Sequence, residues 1–99
     1  MILSRKIYEE FVSANIIGVT LEHNGNQGGD SGHGGFVRIV IKNIASTDME
    51  VNNVPCEEGE QVELKFMGDC ERETLIDALK MIVKDLEAHP YIDNLNKLG

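Results

Sequence analysis

Val62-Glu63-Leu64-Lys65-Phe66-Met67-Gly68-Asp69-Cys70-Glu71 changes its hydrophobic period in the middle, and that change sets the fold class. Up to Met67, the apolar Val62, Leu64 and Phe66 alternate with Glu63, Lys65 and Met67, the two-residue period of a strand with one buried face. Gly68 ends the strand. Beyond it, Leu75, Leu79, Ile82, Val83 and Leu86 recur at helical spacing, with Ile76 and Ala78 widening the stripe. Asp69 is placed to cap this helix, Glu71 and Glu73 suit its positive N-terminal end, and Pro90 stops it because its ring cannot continue the hydrogen-bonding ladder. His89 at the far end suits the negative pole of the dipole.

Upstream, Phe36–Lys42 reads as a strand with Val37, Ile39 and Ile41 on one face and Phe36, Arg38, Val40 and Lys42 on the other. Ile17, Val19 and Leu21 alternate with Gly18, Thr20 and Glu22 in another, and Met49–Asn52 reads as a short strand before the turn signals Pro55 and Glu58-Gly59. At the N-terminus, Ile7, Tyr8, Phe11 and Val12 at i, i+1, i+4, i+5, with Ser4 as a cap and Leu3 stapled on Tyr8, predict a helix over 4–14. In the tail, Ile92, Leu95 and Leu98 suit a short docked turn. The expected fold is a single α+β domain over 1–99. It is an antiparallel four-stranded meander, with the N-terminal and the long C-terminal helix packed on one face. Phe36, Val40 and Met67 would then lie on the opposite face, and an apolar patch there points to a homo-oligomer.

Nine basic against seventeen acidic side chains give a net charge of −8, which disfavours direct nucleic-acid binding, because that binding draws on clustered Lys and Arg. The charge is local. Residues 1–47 and 78–99 each balance to zero, and the whole −8 lies in 48–77, where ten carboxylates face only Lys65 and Arg72. Such a block is a solvated surface or a docking face for a basic partner. No apolar run approaches the ~18–20 residues of a membrane span, no secretory apolar region follows the N-terminus, and Cys56 and Cys70 stand in no metal-type or disulfide-framework spacing. A cytoplasmic location is expected, the host cytoplasm if the chain is phage-encoded.

Residues 24–35, Asn24-Gly25-Asn26-Gln27-Gly28-Gly29-Asp30-Ser31-Gly32-His33-Gly34-Gly35, hold six of the ten glycines and join two strands that Asn24-Gly25 alone could have joined. Glycines permit positive φ and close backbone approach, so successive N–H groups can form an anion-binding concavity. No Lys-Ser/Thr follows and no helix backs the loop, so it is not a nucleoside-triphosphate P-loop. The candidate ligand-binding residues are Asn24, Asn26, Gly28, Gly29, Asp30, Ser31 and His33, with Arg38 at the loop base to meet a phosphate. A flexible hairpin tip is the competing reading of the loop, and cross-strand pairing with Glu22 and Glu63 that of Arg38. Gly29-Asp30-Ser31-Gly32 matches the nucleophile segment of trypsin-like proteases, but 99 residues cannot hold their double barrel. His23, Asp30 and His33 would ligate a metal only if the loop folded back. No metal or cofactor is expected.

Gly28 to Gly35 running into Phe36-Val37-Arg38-Ile39-Val40-Ile41, followed by Met67-Gly68-Asp69-Cys70-Glu71 opening an amphipathic helix, resembles small uncharacterised proteins of bacteriophages and mobile elements over most of 17–87. The resemblance implies an antagonist of host defence, either one that sequesters a nucleotide signal in an oligomer cleft or one that blocks a nuclease with an acidic surface. The leading expectation is a non-enzymatic, homo-oligomeric protein that binds a small, nucleotide-like anion through the glycine loop. The alternative is an acidic protein-interaction inhibitor acting through 48–77.

Overall fold

The computed structural model describes residues 3–92. Four antiparallel strands form the main sheet: β1 (Arg5–Val12), β2 (Ile16–His23), β3 (Phe36–Ala45) and, after a small hairpin of β4 (Glu50–Val51) and β5 (Val54–Pro55), β6 (Gln61–Met67). Their order is β1-β2-β3-β6, so each strand lies beside its predecessor in the sheet. Among the described residues one α-helix, α1 (Asp69–Ala88), follows β6. The α+β class and the four-stranded antiparallel sheet are as expected from the sequence. No helix among the described residues is long and apolar enough to cross a membrane.

Two elements differ. The segment expected to be an N-terminal helix over 4–14 is strand β1, registered along its length with β2 from Arg5 opposite His23 to Val12 opposite Ile16. Ile7 and Phe11, like Tyr8 and Val12, stand four residues apart, and four is two full strand periods as well as about one helical turn. The spacing therefore fits both structures. Aromatic and β-branched side chains, together with a neighbouring strand that pairs every residue, favour the extended form. Tyr8 lies over Gly18 of β2, where a Cβ would stand 2.6 Å from its hydroxyl. The second difference is the strand expected at Met49–Asn52, which does not join the main sheet. Glu50 and Val51 pair only with Pro55 and Val54. Asn52 and Asn53 both take positive φ, 54° and 65°, and turn the chain back at once in a type I′ hairpin.

Register gives the sheet two unlike faces. On one, Ile7 and Phe11 of β1 adjoin Leu21 and Ile17 of β2, while Val37, Ile39 and Ile41 of β3 stand between His23, Leu21 and Val19 on one side and Phe66, Leu64 and Val62 on the other. The start of α1 lies on this face, where Arg72, Ile76 and Leu79 border a cavity of about 150 Å³ with Leu21, His23, Val37 and Ile39. The opposite face carries Phe36 and Val40, the patch expected to mark an interface. Here charged side chains close over the apolar ones: Arg38 bridges Glu22 (3.5 Å) and Glu63 (3.0 Å), and the Lys65 ammonium sits 5.1 Å from the centre of the Phe36 ring. Val40 is buried, and Met67 remains exposed.

At the end of the sheet away from the 24–35 loop, Asn43 organises the chain between β3 and β6. It is 2% exposed, its side-chain amide donates to the carbonyls of Thr47 (2.8 Å) and Cys56 (2.7 Å), and its backbone exchanges bonds with Glu60 and Gly59. Of the expected docked tail, Leu95 and Leu98 lie outside the described residues, and Ile92 is exposed.

Candidate functional site

The 24–35 loop leaves β2 at His23 and returns at Phe36, at the same end of the sheet where β6 gives way to α1. Asn24 closes its base from both sides. Its amide nitrogen donates to the Gly34 carbonyl (2.8 Å), and its side-chain oxygen accepts from the Phe36 N–H (2.9 Å). The Gln27 amide reaches back to the Asn24 carbonyl at 2.6 Å. Gly28 and Gly29, at φ 96° and 81°, then let the chain turn its N–H groups inward.

Those N–H groups hold an anion, and the anion belongs to the protein. The Asp69 carboxylate accepts from Gln27 N–H at 2.9 Å and Gly28 N–H at 2.8 Å, while the Asp69 N–H donates to the Gly29 carbonyl at 3.0 Å. The Gln27 and Gly28 N–H groups, with lesser help from the Gly29 N–H and the Arg72 charge, lower the carboxyl pKa below its ordinary value. Asp69 is therefore not the helix cap expected from sequence. It is the first residue of α1, the cap position is Gly68 with no side-chain bond, and the carboxylate turns away from the helix into the loop. Gly68 makes the junction possible at φ 108°, with its own N–H bonded to the Gly35 carbonyl (2.9 Å).

The loop tip exposes its side chains, while its Asp30–Ser31 backbone packs against Gly68 at the start of the helix. Ser31–His33 form one 3-10 turn, capped by Asp30, whose carboxylate accepts from Gly32 N–H (3.0 Å) and meets His33 Nδ1 at 3.2 Å. His23 does not join them. Its Nδ1 receives Gly25 N–H (3.2 Å) and Arg72 Nη1 (3.1 Å), which places its ring proton on Nε2. His23, Asp30 and His33 therefore form no chelating set, and no cluster of three or more metal-ligating side chains occurs among the described residues.

The candidate residues thus fall into three groups. Asn24, Gly28 and Gly29 build the loop base and the Asp69 cradle. Asp30, Ser31 and His33 form the tip, and Asn26, within the base segment between Asn24 and Gly28, is exposed. Arg38 lies on the sheet, held by Glu22 and Glu63, and those carboxylates raise its pKa further. The residues missed from sequence are Asp69 and Gly68. Their signal was positional: an Asp at the one strand-to-helix junction that shares an end of the sheet with the glycine loop.

The acidic block 48–77 is also divided. β6 carries the chain from one end of the sheet to the other over seven residues, ~20 Å at strand rise. Glu71, Glu73 and Asp77 lie on α1 near the glycine loop. Asp48, Glu50, Glu57, Glu58 and Glu60 lie at the opposite end, all exposed, on a segment (46–60) with no basic residue. That segment is built firmly: Glu58 accepts from Ser46 N–H (3.0 Å), Glu60 accepts from Glu57 N–H (2.7 Å), and the Thr47 hydroxyl accepts from the Asn15 amide (3.2 Å) and donates to the Ile16 carbonyl at the start of β2 (3.0 Å). Comparison with protein-family models, with curated protein sequences and with solved structures finds no match to this chain.

Proposed function

We propose that this protein works by binding and not by catalysis, as an acidic interaction module that docks a basic surface of a protein partner through the carboxylates at 48–60. The observation that carries this reading is the pole itself: five exposed acidic side chains, no basic one between residues 46 and 60, and a backbone fixed by Asn43, Thr47, Glu58 and Glu60. A fixed array of like charges raises the local potential toward a cationic partner and speeds encounter. In a phage setting such a pole would occupy the nucleic-acid-binding face of a host protein. The free thiols of Cys56 and Cys70 suit a reducing compartment, in keeping with a cytoplasmic location. The test is an NMR titration with an oligo-arginine peptide. Amide shifts should concentrate at 46–60 in the native protein and vanish when Asp48, Glu50 and Glu57, whose carboxylates hold no backbone N–H, are all changed to Lys. Shifts spread evenly over the surface, or unchanged by the reversal, reject the reading.

The anion-binding reading of the glycine loop keeps one specific support: its N–H groups already hold a carboxylate at 2.8 and 2.9 Å. A nucleotide-like phosphate would have to displace Asp69 and tolerate Asp30 and Glu71 nearby. Native mass spectrometry with a panel of cyclic and linear nucleotides tests it, since a bound mass that increases in Asp69→Asn supports displacement and no bound mass in either protein ends it.

A further inference from the structure

The single chain leaves much of its apolar surface uncovered. Among the described residues only Val37, Val40 and Cys56 are buried hydrophobics, and α1 has no buried residue at all. Exposure along its apolar stripe rises with distance from the sheet: Ile76 39%, Leu79 43%, Ile82 45%, Val83 53% and Leu86 69%. The helix starts on the sheet and overhangs it. On the face where it starts, Phe11 and Leu64 remain 48% and 50% exposed. One chain therefore presents two unfilled apolar surfaces, a helical stripe with no sheet beneath it and a sheet face with no helix above it.

We infer that this chain is a two-fold homodimer in which the C-terminal half of α1 of each protomer lies on the uncovered part of the partner's helix-side sheet face. The two surfaces are complementary in kind, and a two-fold axis lets each copy satisfy the other's need at once and closes the assembly. The area agrees. The chain exposes 7673 Å², against about 5,600 Å² for a folded monomer of this mass. The excess of roughly 2,000 Å², taken over the whole chain with its termini, leaves room for the ~800 Å² per partner of a standard interface. Charge agrees too. Although the chain carries −8, the helical segment 78–88 carries Lys80 and Lys84 against Asp85 and Glu87 and is neutral, so the proposed contact brings no like-charged blocks together. The opposite sheet face offers less, since Arg38, Lys65 and their carboxylate partners already close over Val40 and Phe36.

Native mass spectrometry and light scattering on the full chain test the inference. The wild type should give twice 11.0 kDa, with a melting temperature that rises with protein concentration. Val83→Glu combined with Leu86→Glu, at positions that a lone chain leaves in water, should give a monomer that melts lower, while Met67→Glu on the other face should leave the dimer intact. If the double variant fails to fold, the concentration dependence of wild-type melting still decides. A wild type that is monomeric with concentration-independent melting, an assembly of more than two chains, or a dimer broken by Met67→Glu and unaffected by the helix variants overturns the inference.

Discussion

Replacing Gly68 by Ala should cost this protein more than any other glycine-to-alanine change in the loop region. Gly68 stands at φ 108°, ψ 156°, a region that residues with a Cβ essentially do not occupy, at a cost of order 1–3 kcal/mol. The space is also closed: a Cβ there would lie 3.0 Å from the Ser31 nitrogen and 3.2 Å from the Asp30 carbonyl carbon, and both are backbone atoms that cannot rotate aside. Relief requires the loop to move off the helix start. That movement breaks the bonds from Gly68 N–H to Gly35 and from Asp69 N–H to Gly29, at about 0.5–1.5 kcal/mol each. The total is about 2–6 kcal/mol. Gly25→Ala is the control, because Gly25 also has positive φ (74°) but nothing within 4 Å of a Cβ, so only the left-handed penalty of ~1–2 kcal/mol applies. Urea unfolding at one fixed protein concentration reads the difference. At a slope of roughly 1 kcal/mol per molar for a chain this small, the Gly68→Ala midpoint should fall well below that of Gly25→Ala. Equal midpoints would refute the view that the loop is packed against the helix start.

Asn43→Ala should destabilise by about 2–5 kcal/mol in thermal or urea unfolding, because the carbonyls of Thr47 and Cys56 lose their donor in a site only 2% exposed. Asn43→Asp should be worse, since it sets a carboxylate against the same two carbonyls. The Asp69 pKa is lowered in the folded state, so its contribution is fully present above the ordinary value of 3.8 and is lost as the pH falls from there through the lower native value. Acid unfolding followed by circular dichroism should therefore be shallower in Asp69→Asn than in the wild type over that window, and identical profiles would show that the carboxylate does not anchor the loop.

What the sequence disclosed depended on whether a pattern had one physical solution. The C-terminal helix was legible because its stripe runs through more than three turns and ends at a proline, which no strand reproduces. β2, β3 and β6 were legible because alternation over six or more residues is incompatible with a helix. β1 was not, since Ile7-Phe11 and Tyr8-Val12 satisfy both periods and the choice is made by β2, a neighbour in space. The loop was half legible. Its glycines announced inward-turned N–H groups, and the structure has them, but the group they hold lies some forty residues away in sequence. Arg38 followed the same rule in reverse. Its pairing with Glu22 and Glu63 was visible as soon as the strands were placed in register, and that pairing occupies the charge that a ligand phosphate would need.

The two proposals occupy different parts of the molecule, and salt separates them. Screening at ~0.15 M reduces interactions between exposed charges more than about 8 Å apart, whereas burial of apolar area is not weakened by moderate salt. The acidic pole lies at the strand end beyond Ala45 and Gln61, and the overhanging helix half is neutral and apolar. A dimer built on the helix should therefore persist as sodium chloride is raised, while docking of a basic partner at 48–60 weakens steeply. Pairing sheets through their helix-side faces would leave both poles in solvent, so one dimer would present two identical docking sites to a basic partner and gain avidity where that partner is itself repeated. A dimer that dissociates with salt, or a partner complex that does not, would assign the charges and the apolar stripe to the opposite roles.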